Sequence, residues 1–256
     1  MVERLLDRQV SLLEYLTSSG AIYGASGAAV ADQAPPGFDP GMLRLEACFS
    51  HEKRMDKIQS VFPQTFRLLG DARAGIVRDF AATFPPVDIS RLANARQFHE
   101  FLRARWQESL PEPPHLRDVA ACEFAFAMAR APSPVDEELP PAGRPARGAI
   151  RRHPGIILLS CEYDVRPVFE AQGQDQSQDQ SRDPARAALS IRRETLLAIF
   201  LPPGEQHPQT FEILPVVFDL LAVLEDWTVP SEFVLGPESD ELIRELADSA
   251  LIEVRL

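Results

Sequence analysis

The stretch PSPVDEELPPAGRPARGAIRRH, residues 132–153, decides how the chain is divided. It holds five prolines and two glycines and has no apolar periodicity, so it cannot supply a helix face or a strand face to a core. Before it, apolar residues recur at helical spacing. After it, short apolar runs read as strands. The expectation is therefore an all-helical bundle followed by a small α+β, winged-helix-like domain: residues 1–131, a linker at 132–152, then 153–256.

The helical reading rests on six segments. Residues 2–19 place Leu5, Leu6, Leu12, Leu13 and Leu16 at roughly helical spacing. Residues 20–41, GAIYGASGAAVADQAPPGFDPG, read as a long loop. Residues 42–61 form a charged amphipathic helix that offers Leu45, Phe49, Met55 and Ile58 to a core, and Phe62-Pro63 interrupts it. Helices follow at 64–69, 71–83 and 94–105. Another spans 114–130, with Leu116, Val119, Ala120, Phe124, Ala127 and Met128 as its buried stripe.

Beyond the linker, strands are expected at 155–161, 165–170, 187–192 and 195–201, and an extended piece at 209–214. The polar, low-complexity run QGQDQSQDQSRD at 172–183 cannot bury a core and reads as a disordered excursion. Helices are expected at 215–226, where Pro215 suits a first turn, and at 238–248. Residues 251–255 read as a closing strand.

Charge narrows the function. The chain carries a net charge of −12, and most of the excess falls after residue 150, where 19 acidic side chains face 9 basic ones. A nucleic-acid binder neutralises phosphates with Lys and Arg, so the C-terminal portion has the wrong sign. Peptides, basic ones above all, suit it better. The helix at 238–248 would be the DNA-reading helix of a winged helix, yet it sets Glu238, Asp240, Glu241, Glu245 and Asp248 against Arg244 alone. Three well-separated cysteines without CxxC spacing, no signal peptide and no apolar run of the ~20 residues a bilayer needs lead to the expectation of a soluble cytoplasmic protein, with no membrane and no nucleic-acid partner.

Catalytic patterns do not assemble. Gly24-Ala25-Ser26-Gly27-Ala28 lacks the second glycine that a nucleophile elbow needs, and a flexible loop is the simpler reading. The five histidines make no metal-ligand spacing and read as solvated or capping residues. Cys122 and Cys161 read as small buried hydrophobes, with no cation in their own elements to lower a thiol pKa. No catalytic residue, metal ligand or cofactor is expected in this chain. The expectation is a binding protein and not an enzyme.

The segments RLEACFSHEKRMDKIQSVFPQTFRLLGD (44–71), FAATFPPVDISRLANARQFHEFLRA (80–104), HLRDVAACEFAFAMAR (115–130) and HPGIILLSCEYDVRPVFEAQ (153–172) resemble a family of partner proteins of multinuclear non-haem iron oxygenases. Its N-terminal domain is sometimes described as "putative DNA-binding". The resemblance rests on the order and spacing of Phe62-Pro63, Leu69-Gly70, Phe84-Pro85-Pro86, Phe98…Phe101-Leu102, Asp118-Val119-Ala120…Glu123 and His153-Pro154.

The resemblance implies an accessory subunit in ribosomal natural-product biosynthesis, of the methanobactin and thiaglutamate type. Its helical domain would dock on a TIM-barrel oxygenase, and its C-terminal recognition element would add the leader of a precursor peptide as a strand. Iron would belong to that partner, which modifies a cysteine of the peptide. Strand addition needs backbone hydrogen bonds and side-chain pockets and no catalytic group. Leu197, Ile199 and Phe211 are the expected pocket formers, and Glu241 and Glu245, four apart on one helical face, the expected contacts for basic leader side chains. The competing reading is a DNA-binding transcriptional regulator.

Overall fold

Helix starts in the N-terminal half are set by oxygen caps and prolines. A computed structural model describes residues 5–24, 34–131, 148–170, 192–202, 204–229 and 239–255. Helix α1 runs Leu5–Thr17 and α2 runs Ser19–Tyr23, where Ser18 caps the Ala21 amide at 3.1 Å. The expected loop at 20–41 therefore begins as a helix, because Ser18 supplies a cap that a reading weighted toward glycine and alanine overlooks. Helix α3, Pro40–Gln59, starts on the Asp39 carboxylate, which accepts from the Met42 amide at 3.0 Å, with Pro40 in the first turn.

Helix α4 is Pro63–Leu69. Its N-cap residue, Phe62, has no side-chain oxygen. A short 3₁₀ turn, Gly70–Ala72, leads into α5, Arg73–Thr83. Helix α6, Arg91–Glu108, is capped by Ser90, and α7 spans Leu116–Ala129. The missing cap of α4 comes from α7: the buried Glu123 carboxylate accepts from the Gln64 amide (2.7 Å), the Thr65 amide (2.9 Å) and the Thr65 hydroxyl (2.7 Å). One carboxylate so fixes two helices that are far apart in sequence.

A phenylalanine cluster fills the bundle. The fully buried Phe98 ring meets Phe62, Phe66, Phe80 and Phe101 at centroid distances of 5.1–6.2 Å. Such aromatic pairs add ~0.5–1.5 kcal/mol each beyond their area burial. Leu45 and Phe49, expected in the core, are exposed instead. The core face of α3 is Leu43, Ala47, His51, Arg54 and Ile58. Several residues of α1 are likewise exposed: Leu5, Leu6, Val10 and Leu13. Apolar spacing marks a face without saying what covers it, and here two apolar faces lie open.

The chain divides into two compact units, Met1–Phe124 and Ala125–Leu256, so the division falls inside α7. The second unit mixes helices with small antiparallel sheets. Strand β1 (Ile150–Arg152) pairs with β5 (Ile252–Val254). Strands β2 (Ile157–Cys161), β3 (Thr195–Phe200) and β4 (Gln209–Glu212) form a second sheet in the order β2-β3-β4. Strand β1 occupies the end of the stretch read as linker. Residues 132–147, like the alanine-rich run at 25–33, the insert at 172–183 and the expected strand up to 191, lie outside the described residues.

Residues 165–170, expected as a strand, hold helix α8, Arg166–Glu170. Val165, Val168 and Phe169 favour a strand by residue type, yet they stand at i, i+3 and i+4, the spacing of a helix face. The Asp164 carboxylate accepts from the Arg166 amide at 3.3 Å, and Pro167 sits in the first turn, which together start a helix. Helix α9, Pro215–Val223, and helix α10, Ser239–Asp248, share one core with the sheets. Ala198 and Phe200 of β3, Leu220, Leu221 and Leu224 at the end of α9, and Leu246 of α10 are buried in it. Among the described residues, no helix is long and apolar enough to cross a membrane.

Candidate functional site

Strand β4 is paired on one side only among the described residues. Its register sets Phe211 opposite Ala198, and the Ile213 amide donates to the Leu196 carbonyl at 2.9 Å. In an antiparallel ladder, hydrogen-bonded and non-bonded pairs alternate. Ile213, Phe211 and Gln209 therefore bond to β3, while the backbone groups of Thr210 and Glu212 point away from it. Thr210 and Glu212 offer an N–H and a C=O each at an edge that is open among the described residues.

A cleft of about 520 Å³ lies along the end of that edge, lined by Glu194, Leu196, Glu212, Ile213, Leu214 and Pro215. Leu214 is 68% exposed, and Val216 beyond it is also exposed. An open backbone edge with apolar side chains beside it is the arrangement that strand addition requires.

Charges brace the edge. The Glu212 carboxylate pairs with Arg166 (2.6 Å) and Arg193 (3.1 Å), and both arginines also hold Asp164, at 2.7 and 2.6 Å. The hydrogen bond from Arg166 holds the Asp164 carboxyl well below the usual carboxylate range, with Arg193 adding to it. The same bond raises the Arg166 pKa. The network ties the loop before α8 to the start of β3 and the end of β4.

The expected site residues are dispersed. Leu197 and Ile199 lie on β3, the central strand, and both are 0% exposed. They are core residues, not pocket formers at an edge. The period-2 pattern placed them on one face but carried no information on strand order. Phe211 is on the edge strand, half-buried, with its ring 5.8 Å from Phe200. Glu241 and Glu245 are exposed on α10, and neither lines the cleft beside β4.

Thr210, Arg166, Arg193 and Asp164 escaped the sequence reading. Asp164, Arg166 and Arg193 meet at Glu212 through the pairing of β2, β3 and β4, the β3–β4 register sets Thr210 on the edge strand, and no local motif signals either.

The histidines divide. His207 is exposed, and His153 accepts from the Gly155 amide at 3.1 Å, as solvated or capping residues would. His51 and His115 are buried, and His99 stacks on Phe124 at 4.6 Å. Burial lowers the pKa of all three, His99 to about 4. Cys122 and Cys161 are both buried. Among the described residues, no group of three or more His, Cys, Asp or Glu is placed to hold a metal ion. No protein-family model matches the chain, and neither does any curated protein.

Proposed function

We propose that this chain is a non-catalytic adaptor that binds an extended peptide at the β4 edge and presents it to a separate enzyme. The observation that carries this reading is the open pair of backbone positions, Thr210 and Glu212, beside an apolar cleft. The C-terminal unit serves as a winged-helix-like recognition domain in which α9 and α10 share one core with the sheet. The peptide is the leader of a ribosomally made precursor, and the enzyme is a TIM-barrel multinuclear iron oxygenase, acting with this chain in the cytoplasm. The helical unit supplies the docking face. Met42, Leu45 and Phe49 recur at helical spacing along α3, Phe38 stands just before its cap, and all four are exposed. The adaptor contributes to the reaction by position, since tethering raises the concentration of the peptide's cysteine at the partner's metal.

The two contacts are separable by mutation in the full chain. Thr210→Pro removes an outward-facing donor without touching the ladder to β3. It should reduce affinity for the leader of a precursor encoded by a neighbouring gene at least tenfold, read by calorimetry, with the melting temperature close to the wild type. A leader N-methylated at alternate residues should bind the wild type equally poorly. Met42→Asp combined with Phe49→Asp should abolish co-elution with the co-expressed oxygenase and leave leader binding intact. Tight leader binding by Thr210→Pro, together with indifference to N-methylation, defeats the edge assignment.

A further inference from the structure

A groove in the helical unit has a local charge pattern opposite in sign to that of the chain as a whole. It encloses about 350 Å³, with Leu13, Leu16 and Ile22 on one side and Pro86 and Ile89 among its other lining residues. Leu13 and Ile89 are exposed apolar lips, Ile89 at 85%. Arg54, only 7% exposed, also lines it, as do the exposed Lys53 and Lys57, the latter donating to the Ile89 carbonyl at 2.6 Å. Asp88 is the acidic residue of the lining, and its carboxylate is already engaged by the Ser90 amide at 2.8 Å. On a chain of net charge −12, three cations around one apolar groove are a local reversal of sign.

Arg54 is the centre of this reversal. Its Nε donates to Asn94 Oδ1 (2.8 Å), one Nη to the Phe84 carbonyl (2.8 Å) and the other to Gln97 Oε1 (3.0 Å). The guanidinium lies over the Phe80 ring, 4.4 Å from its centroid. Every one of these partners is neutral, and no described carboxylate forms an ion pair with it. Burial accordingly lowers the Arg54 pKa to about 10. A guanidinium has five N–H groups, of which three are used here, so one remains on each terminal nitrogen. A buried cation without a counter-charge is costly, and an incoming carboxylate would relieve that cost through charge-assisted hydrogen bonds.

We infer that this groove binds a carboxylate carried on an apolar stem, the acid meeting Arg54 with Lys53 and Lys57 at the mouth, and the stem lying against Leu16, Ile22 and Ile89. A free fatty acid and a peptide ending in apolar residues share this chemistry. The inference concerns the helical unit and does not rest on the peptide edge of β4.

Calorimetry on the full chain separates the outcomes, with two matched pairs as probes: decanoate against decan-1-ol, and N-acetyl-leucyl-leucine against its C-terminal amide. At least one acid should bind at least tenfold more tightly than its neutral counterpart, and the pair that shows the preference names the source. Lys53→Gln combined with Lys57→Gln, at two exposed positions, should weaken acid binding about tenfold, leave neutral binding unchanged and keep the wild-type melting temperature. Arg54→Met should lose the acid preference. Equal binding of acid and neutral forms in both pairs, or no binding of either acid at millimolar concentration, overturns the inference.

Discussion

Glu123 shows how much one side chain can hold. Its carboxylate accepts three hydrogen bonds at the start of α4, which favour the anion, yet burial pushes its pKa up to about 7. A group whose folded pKa lies above its unfolded value stabilises fully below the unfolded value. Its contribution is lost as pH rises from about 4.5 through about 7. His99 works with the opposite sign. With its pKa lowered to about 4, it stabilises fully above the unfolded value of about 6.5 and loses that contribution as pH falls toward 4. His51 and His115 act in the same direction as His99. The carboxyl and the imidazoles therefore oppose each other across pH 4.5–6.5, and urea midpoints of the wild type should climb only shallowly with pH in that window, since Glu123 offsets about one of the three histidines. Glu123→Gln should be less stable overall, because its amide cannot accept all three donors. Its midpoint should climb visibly with pH over the same window once the carboxyl no longer offsets the histidines. A flat profile in the variant would remove Glu123 from this balance.

Among the elements, β3 carries the sharpest test of the architecture. Leu197 and Ile199 are fully buried on the middle strand, so Leu197→Ala should cost about 2–5 kcal/mol of stability, as large-to-small core changes do. Under native conditions it should leave leader affinity within about twofold. A pocket residue would show the reverse: lost affinity at near wild-type stability. The helices of the first unit were legible because prolines, Ser and Asp caps and apolar spacing are local signals. So were β2, β3, β4 and β5, as short apolar runs between turn residues. Strand order was not legible, since it depends on pairings between residues up to about a hundred positions apart, such as Arg151 with Glu253. That is why a reading from alternation made Leu197 a pocket former and overlooked Thr210. Helix α8 failed for a different reason: the β-branched and aromatic residue types of VRPVFE outweighed their i, i+3, i+4 spacing, one aspartate cap and one proline.

At the scale of the whole molecule, uneven charge separates the two readings of the C-terminal unit. Acidic side chains outnumber basic ones 19 to 9 after residue 150, and α10 exposes Glu241, Glu245 and Asp248. A surface of that sign repels a phosphate backbone. An open strand edge is indifferent to sign, because its affinity comes from peptide N–H and C=O groups. Exposed ion pairs between acidic residues and a basic leader add only ~0–1 kcal/mol each and are screened by salt. Leader affinity should therefore fall by less than about threefold between 50 and 200 mM NaCl, since backbone pairing releases few counterions. A protein making six to ten phosphate contacts loses about 10³–10⁵ over the same range. Titrating the full chain with fluorescent leader and with fluorescent duplex DNA at both salt concentrations tests this directly. Weak leader binding with tight, steeply salt-dependent DNA binding would give the chain to the regulator reading. It would also place the phosphate contacts in residues 1–150, where 17 basic side chains nearly balance 19 acidic ones.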